Sequence, residues 1–577
     1  MIKKLIRSML TAQVLSALTV SLCLLIDNVM IVRFLGTRAI AAYGYANPVL
    51  LVIGALGSML AAGVQVSCSR SVGRGLRKET DAGFSSAIAL TLWISLAFMA
   101  VVLLLRNPLA DLMGASGDAE LHGMTSDYLA GFVLGATGSM GALILIPFLQ
   151  IAGQSNLLIV AVLAMTVTDV ALDLLNALVL HWGMFGMGLA SSLSYYVAML
   201  FAAFFFLSAK CPFHFTRKGV TRAKIAELFR AGFPTVFGMA SSVVLVFAVN
   251  RILRHTGGTA AVAAFTVVLG IGNTANCITT GVGGVSLTLS GVLYNEEDRH
   301  ALRSVLAALC RYSVALGLAM GALLLVCAPL FVEVFIPGDV PERAMAILGV
   351  RLFALGLIPC CVNNVLKNMY QSTERVRLTE ILSLLEGAFW PVLAALLMAF
   401  LFGTAGVWFY FVLGELLTLL TIGVMVFRIK KRMPWRDGAA MLLRPDFGVR
   451  GDNLLEISLG SMGEIPDAVR RVEAFCRRHG LDHKTTNHIA LCVEEMASNV
   501  IRHGFTADSR SHHLFIRLLR KDTKWVLRFR DDCTAFDPVR YVPDENESGL
   551  GLKIIMAMAS EVRYTSSLNM NNLMIRF

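Results

Sequence analysis

Residues 10–36 read LTAQVLSALTVSLCLLIDNVMIVRFLG, an apolar stretch whose only acidic residue is Asp27. About 20 apolar residues are enough for a helix to cross a bilayer, so the stretch predicts a membrane-spanning helix. Lys3, Lys4 and Arg7 precede it as they would a signal peptide, but no small-residue cleavage site is recognisable. We therefore expect a retained first span whose basic end lies in the cytoplasm.

The whole chain has the same apolar bias. Its 577 residues are 56% apolar and 15% charged, with a mean hydropathy of +0.69, whereas soluble chains are about 25% charged. This composition excludes a single soluble globule. The net charge of +11 is typical of a membrane protein with basic cytoplasmic loops, and since no basic patch is interleaved with aromatic residues we expect no nucleic-acid partner.

Further apolar segments of spanning length follow the first, and basic residues cluster in alternate connections between them. This pattern predicts a multi-pass protein of the lipid bilayer with both termini in the cytoplasm. The fold class is then an all-α polytopic membrane domain of about twelve transmembrane helices. The predicted spans are 9–35, 46–69, 84–105, 125–151, 156–180, 184–208, 231–254, 260–290, 306–331, 345–370, 377–402 and 405–427.

The membrane region also shows an internal duplication. QIAGQSNLLIVAVL (150–163) has an echo in KNMYQSTERVRLTEIL (367–382), and the two stretches occupy corresponding places in two six-span halves. Such repeats are common in secondary transporters, in which the substrate path runs between the halves. The sequence therefore predicts two six-helix lobes.

Carboxylates inside the predicted spans are the candidate functional residues of this region. Asp27 lies in the first span, Asp169 and Asp173 in the fifth, Glu386 in the eleventh and Glu415 in the twelfth. A charged residue inside a membrane costs about 2.5–3.5 kcal/mol on insertion scales, so its presence suggests a function. Such carboxylates can carry H⁺ or Na⁺, or can serve only as structural hydrogen-bond partners.

Several stretches resemble the multidrug and toxic compound extrusion (MATE) family over about 1–430, among them IDNVMIVRFLG, FLQIAGQSN and LDLLNALVLHWGMFGMGLASSLS. The resemblance implies an antiporter of two six-helix lobes in the bacterial inner membrane. It would export organic, above all cationic, small molecules in exchange for H⁺ or Na⁺. Asp27 and Asp173 match the family's acidic residues of the first and fifth spans.

The composition changes after Arg432. Residues 431–452 carry Pro, Gly and mixed charge and predict a basic linker that separates the membrane domain, 1–430, from a C-terminal domain, 453–577. LEISL, HLFIRLLR, WVLRFRDD, VRYTSS and NLMIRF have strand patterns, and two amphipathic helices lie between the first two of them. An α+β domain of ordinary size is expected.

Three short motifs give this domain candidate chemistry. Glu495 and Asn499 stand four residues apart on one helix face, where the carboxamide can hold Mg²⁺ and the carboxylate can accept a proton. DDCTAFDP (531–538) ends a strand. In GLGL (549–552), Gly549 and Gly551 allow a phosphate to approach a helix N-terminus, and Lys553 would add positive charge.

Together the three motifs resemble the GHKL (Bergerat-type) ATP-binding fold, nearest to the anti-sigma-factor serine-kinase type. IALCVEEMASNVIRHGF, with His503, is similar to that family's N-box, and DDCTAFDP and GLGL to its glycine boxes. The resemblance implies ATP and Mg²⁺ as cofactors, Glu495 as catalytic base, an adenine contact by Asp531 and an anti-sigma-factor antagonist-like partner. Cys533 and Ala535 replace the usual glycines, so a degenerate domain that binds a partner without turnover is the alternative.

Three functions are compatible with these features. The first is an ion-coupled exporter whose ATP-binding domain regulates it or phosphorylates a partner. The second is a signalling serine kinase that uses the membrane domain as a sensor, and the third is a flippase for a lipid-linked sugar. The intramembrane carboxylates favour the first over the third.

Overall fold

The structure is a computed structural model of the whole chain. It describes residues 2–577 apart from 75, 114, 116–117, 209–210, 337, 339, 435–437, 445–446, 450, 507–511, 522–523, 540–554, 556 and 568–569. The predicted glycine turn at 549–552 and Lys553 therefore lie outside the described residues.

Fourteen long or medium helices form the membrane region of the described chain, and the predicted spans fall on them. The predicted spans 125–151, 260–290 and 377–402 each extend over two helices. Ten segments of these helices are long and apolar enough to cross a membrane, one of which, Val376–Val407, combines two helices. The number is eleven if the pair Ala119–Val133 and Ala136–Ile151, bent by 47°, is one span; Leu5–Ser21 and Ala260–Ala275 are shorter apolar helices. The helices are α1 (Ile2–Met30), α2 (Thr37–Gly73), α3 (Arg77–Leu112), α4 (Ala119–Val133), α5 (Ala136–Ile151), α6 (Ser155–Leu175), α7 (Gly183–Phe206), α8 (Arg222–Ala275), α9 (Cys277–Asn295), α10 (Arg299–Phe335), α11 (Pro341–Ser372), α12 (Val376–Leu384), α13 (Trp390–Val407) and α14 (Tyr410–Lys430).

Local irregularities recur in the two halves. A wide π-helical turn, Asn176–Leu180, follows α6, and another, Leu385–Phe389, joins α12 to α13. π-turns are rare and concentrate at functional sites. The first turn ends the predicted fifth span, whereas the second lies nine residues after the start of α12, so the two turns do not occupy equivalent places of the predicted repeat. α8 breaks at Gly258, whose φ of +67° only glycine adopts readily.

The two lobes, α1–α7 and α8–α14, pack through small residues. A Cβ on Gly63 of α2 would overlap the carbonyl oxygen of Leu228 on α8, and one on Gly73 would overlap that of Val292 on α9. Backbones approach this closely in membranes because small residues leave room for dispersion contacts. Gln65 of α2 adds a polar contact between the lobes, since its Nε2 donates to the carbonyl oxygen of Gly284 at 2.9 Å.

The C-terminal region is an antiparallel five-stranded sheet with helices on one face, as the strand and helix patterns predict. The strand order is β1-β2-β3-β5-β4. Buried residues such as Ile516, Leu527 and Phe529 pack against Ile489 and Val493 of the second helix. The elements are β1 (Leu454–Leu459), α15 (Ile465–Arg478), α16 (His483–Asn499), β2 (Leu514–Lys521), β3 (Lys524–Asp531), β4 (Glu561–Ser567) and β5 (Met570–Arg576).

The sheet's other face lies against the membrane region, at the turn between α9 and α10. We call this end of the lobes the domain-side end. The lobes also touch each other there, because Arg74 Nε donates to Asn295 Oδ1 at 3.0 Å and Arg74 forms an ion pair with Glu374 at 3.5 Å. A cavity of about 880 Å³ lies between the lobes and is lined by residues of both, such as Ser58 and Asn364.

Candidate functional site

An acidic cluster lies inside the first lobe, where α1 meets α6. Asp27 is 8%, Asp169 2% and Asp173 1% exposed. The Sγ of Cys23 donates to Asp169 Oδ2 at 2.8 Å, and the ligand atoms of Cys23, Asp27 and Asp169 lie within 4.8 Å of one another. Asp173 follows Asp169 by one helical turn. The structure thus brings together the three aspartates that the sequence singled out in this half.

Several oxygens of this cluster have no hydrogen-bond partner among the described residues. They are Asp27 Oδ1, Asp169 Oδ1 and both carboxylate oxygens of Asp173. A buried carboxylate without a partner is costly unless it is neutralised by a proton or a cation. Oxygen ligands suit a small hard cation, so the donor set fits H⁺ or Na⁺.

The second lobe holds a different arrangement around Glu386. Lys367 Nζ lies 2.6 Å from Glu386 Oε2, and both side chains are largely buried. Asn363 Nδ2 donates to Glu415 Oε2 at 2.8 Å. Lys367, Glu386 and Glu415 all line the cavity between the lobes. Glu386 is therefore neutralised by a resident cation, whereas Asp27 and Asp169 have no such partner within the described chain.

Lys367 is a residue of this cavity that the sequence reasoning missed. It stands inside the predicted span 345–370, where a lysine is as costly as an aspartate. The cost of placing a lysine inside a membrane span was the sequence signal that could have identified Lys367 as a candidate. Its partner Glu386 lies on another helix, so only the packing of α11 against the π-turn after α12 reveals the pair.

The candidate nucleotide residues of the C-terminal domain lie on α16 and at the end of β3. Glu495 and Asn499 are half-buried on α16, one turn apart. His503 is exposed in the π-turn Val500–Gly504 that continues the helix. Asp482 caps the N-terminus of this helix, since its Oδ1 accepts from the backbone N–H of Thr485 at 2.9 Å.

Two of the three motifs meet in space. A Cβ on Gly504, at the end of the first motif, would lie 2.9 Å from Cys533 Sγ in the second. Asp531 is 6% exposed beneath this contact. Its Oδ1 accepts from Asn571 Nδ2 at 2.7 Å and from the backbone N–H of Cys533 at 3.1 Å. A carboxamide and carboxylates on neighbouring elements are a donor set that fits Mg²⁺ and an adenine amino group.

The substituted glycine positions are not strained. Neither Cys533 nor Ala535 is among the non-glycine residues with positive φ, so their side chains cause no left-handed backbone penalty. The loop has taken a shape that ordinary residues adopt. Burial raises the pKa of Asp531, although the hydrogen bonds from Asn571 and Cys533 oppose that rise.

Comparison with known families matches both regions of the chain. The MatE family model matches residues 13–175 and 234–386, one stretch in each lobe. The model of the histidine kinase-like ATPase domain matches residues 462–577.

Individual relatives match the membrane region. The multidrug export protein MepA of Staphylococcus saprophyticus is 23% identical over 413 residues, which cover 70% of this chain and 89% of the relative. The probable multidrug resistance protein NorM of Agrobacterium fabrum is 25% identical over 432 residues, or 70% of this chain and 90% of the relative.

Solved structures share the fold of this region. One is the outward-facing conformation of a multidrug resistance MATE family transporter of the MOP superfamily, with a TM-score of 0.69 at 21% identity. Another is a crystal structure of MATE in complex with MaL6, with a TM-score of 0.69 at 20% identity. In both cases the match covers 74% of this chain and 96% of the other.

Proposed function

The chain belongs to the MatE family, and from that premise we propose that it exports organic compounds, cationic ones above all, in exchange for H⁺ or Na⁺. The relatives named for multidrug export and for multidrug resistance support this substrate class. The observation that carries the proposal is the buried cluster of Asp27, Asp169 and Asp173, with its unpartnered oxygens. Lys367, Glu386 and Glu415 on the second lobe line the cavity and would contribute polar contacts there.

The cluster supplies a physical basis for exchange. When a proton or Na⁺ is bound, the negative charge of the cluster is lower and a cationic substrate is attracted to it less strongly. When the ion leaves, the buried carboxylates attract a cation through a medium of low dielectric constant. Ion and substrate then compete for the same charge, which links the movement of one to that of the other.

Transport into proteoliposomes would test the exporter. A fluorescent organic cation is followed under an imposed pH or Na⁺ gradient. We expect Asp27→Asn and Asp169→Asn to abolish gradient-driven transport, whereas Asp127→Asn, an exposed aspartate of α4 in the same lobe, should leave it unchanged. Undiminished transport by both cluster variants would refute ion coupling at this site.

For the C-terminal domain we propose that ATP binds with Mg²⁺ and that the domain regulates transport. Asn499 would hold the metal, Asp531 the adenine amino group, and Glu495 would orient or deprotonate an attacking hydroxyl. His503, Gly549, Gly551 and Lys553 are proposed to complete the nucleotide contacts. ATP supplies a transferable phosphoryl group when bound, so phosphorylation of an antagonist-like partner is the alternative use of the same site. We propose further that both termini lie in the cytoplasm, where ATP is available.

A further inference from the structure

The face of the C-terminal sheet that carries no helix is strongly basic. Arg517, Arg528 and Arg530 point to this face, and we call them the arginine face. Arg517 of β2 stands directly opposite Arg528 of β3 in the strand register. Like charges at directly opposed positions destabilise a sheet. Glu456 of β1 pairs with Arg517 at 2.8 Å, and opposite charge that covers the face from outside the sheet stabilises the arrangement further.

The covering charge comes from the second lobe. Glu296 and Asp298, in the turn between α9 and α10, are 8% and 4% exposed. Arg517 forms an ion pair with Asp298, and Arg530 forms one with Glu296. Arg528 Nη1 also donates to the backbone carbonyl of Glu296 at 2.7 Å. Every member of the arginine face thus contacts this one turn.

The first lobe contributes a second set of contacts. Arg563 Nη1 of β4 donates to the carbonyl oxygen of Arg74 at 2.8 Å, where α2 ends. Arg77, at the start of α3, lies 3.9 Å from the carboxylate of Asp537. The C-terminal domain consequently touches both lobes at the domain-side end, above the Arg74–Asn295 contact that joins them.

The interface is polar and incompletely filled. A cavity of about 690 Å³ remains between the sheet and the lobes, and many of its lining residues are charged, including Arg299, Lys524 and Arg576. Polar interfaces within one chain permit relative motion by default, in contrast to large apolar ones. These contacts are suited to forming and breaking during a cycle.

We propose that the C-terminal domain is a latch that holds the two lobes together at the domain-side end, binding the second lobe through the arginine face and the first lobe through Arg563 and Asp537. Alternating access requires the lobes to separate at each end in turn. Separation here pulls the turn at Glu296 away from the end of α2 at Arg74, so one set of the domain's contacts must break. This inference rests on the proposed transport function and specifies how the C-terminal domain would regulate it.

The test measures the distance between the lobes in the full chain in lipid nanodiscs, without substrate. A donor and an acceptor dye, attached through unnatural amino acids, are placed at Glu79 and Arg377, exposed positions on α3 and α12. We expect Arg530→Glu and Glu296→Arg to raise the ratio of open to closed molecules by roughly fivefold or more, the usual size of an intramolecular coupling. The charge-swapped double variant should return the distribution to that of the unaltered chain.

A second dye pair between the sheet and the lobes reports docking itself. If the single variants undock the domain while the lobe distance stays unchanged, the latch is refuted. It is equally refuted if they leave the domain docked. If a charge-reversed variant fails to fold, the milder variants Arg530→Gln and Glu296→Gln take its place in the same measurement. The distance measurement does not depend on transport. A failed export assay would therefore refute the proposed export function without changing the measured effect of docking on the distance between the lobes.

Discussion

Arg530 and Asp531 are consecutive on β3 and point to opposite faces of the sheet. Arg530 pairs with Glu296 of the membrane region, and Asp531 lies in the candidate nucleotide site. Asn572 and Asn571 repeat the division on β5, since Asn572 Oδ1 accepts from Arg530 Nε at 2.7 Å and Asn571 donates to Asp531 at 2.7 Å. The candidate nucleotide site and the proposed latch therefore use adjacent residues of the same two strands, on opposite faces of the sheet.

This shared framework predicts that Glu296→Gln will change the nucleotide affinity of the full chain, although Glu296 belongs to the membrane region. Coupling between two binding events is reciprocal. If nucleotide binding changes the docking equilibrium of the domain, docking must therefore change the affinity for the nucleotide by the same factor. Calorimetric titration with ATP and Mg²⁺ measures the effect. The charge-swapped pair of Arg530 and Glu296 should restore the affinity, and an unchanged dissociation constant in Glu296→Gln would show that the two sites act independently.

Removing the carboxamide of Asn499 is predicted to weaken ATP binding and to abolish its dependence on Mg²⁺. Asn499→Ala deletes the side-chain oxygen proposed to reach the metal. Glu494→Gln is the matched control, because Glu494 lies on the same helix but is exposed. Titrations with and without Mg²⁺ separate the two effects. A metal-dependent affinity that survives in Asn499→Ala would exclude Asn499 from the metal site.

Asp531→Asn should flatten the pH dependence of the C-terminal domain's stability. Burial raises the pKa of Asp531 above its ordinary value of 3.8, so the folded domain holds this proton more tightly than the unfolded chain. Its contribution to stability is complete below the unfolded pKa and is lost as the pH rises through the folded pKa. We expect the variant, whose amide oxygen can still accept from Asn571, to gain stability relative to the native domain between acid and neutral pH in thermal melts.

The same substitution should impair nucleotide binding. A hydrogen bond to a charged group contributes about 1.5–3 kcal/mol, so losing the contact to the adenine amino group would lower the affinity roughly 10- to 100-fold. A variant that binds ATP with unchanged affinity would remove Asp531 from the site without affecting the pH argument.

The sequence predicts where the helices and strands lie but does not predict which of them contact each other. Long apolar segments located the spans, because a bilayer requires about 20 apolar residues at each crossing. The alternating pattern of WVLRFRDD located β3, and such alternation is typical of a strand with one exposed face. In the structure Arg528 and Arg530 are covered by the turn at Glu296. Alternation of apolar and polar residues shows that a strand has an apolar and a polar face. It contains no information about which part of the chain covers the polar face.

The acidic residues illustrate the same limit. Asp27 and Asp169 were singled out together with Glu386, since each is a carboxylate within a predicted span. Only tertiary packing separates them: Glu386 faces Lys367, while Asp27 Oδ1 and Asp169 Oδ1 have no partner in the described part of the chain. Identical local sequence signals thus lead to different chemistry.

The packing of the lobes predicts opposite outcomes for two glycines of α2. A Cβ on Gly63 would overlap the carbonyl of Leu228, whereas one on Gly54 would meet nothing within 4 Å. Overpacking of this kind costs about 1–3 kcal/mol, and alanine improves helix propensity equally at both sites. Gly63→Ala should lower the melting temperature and widen the distance between the lobes, while Gly54→Ala should do neither. Equal behaviour of the two variants would contradict the close contact of α2 with α8.

The Lys367–Glu386 pair predicts a non-additive result that also decides the role of Glu386. Glu386→Gln leaves the Lys367 ammonium buried without its counter-charge, and breaking a buried pair in this way costs about 3–5 kcal/mol. Lys367→Met combined with Glu386→Gln removes both charges and should recover most of the lost melting temperature. If Glu386 serves as a structural partner of Lys367, the double variant will also recover transport of the organic cation. If Glu386 carries the coupling ion, as its position in the span predicts, stability will return without gradient-driven transport. Parallel melting and proteoliposome assays on the three variants therefore distinguish a buried ion pair from a second coupling site.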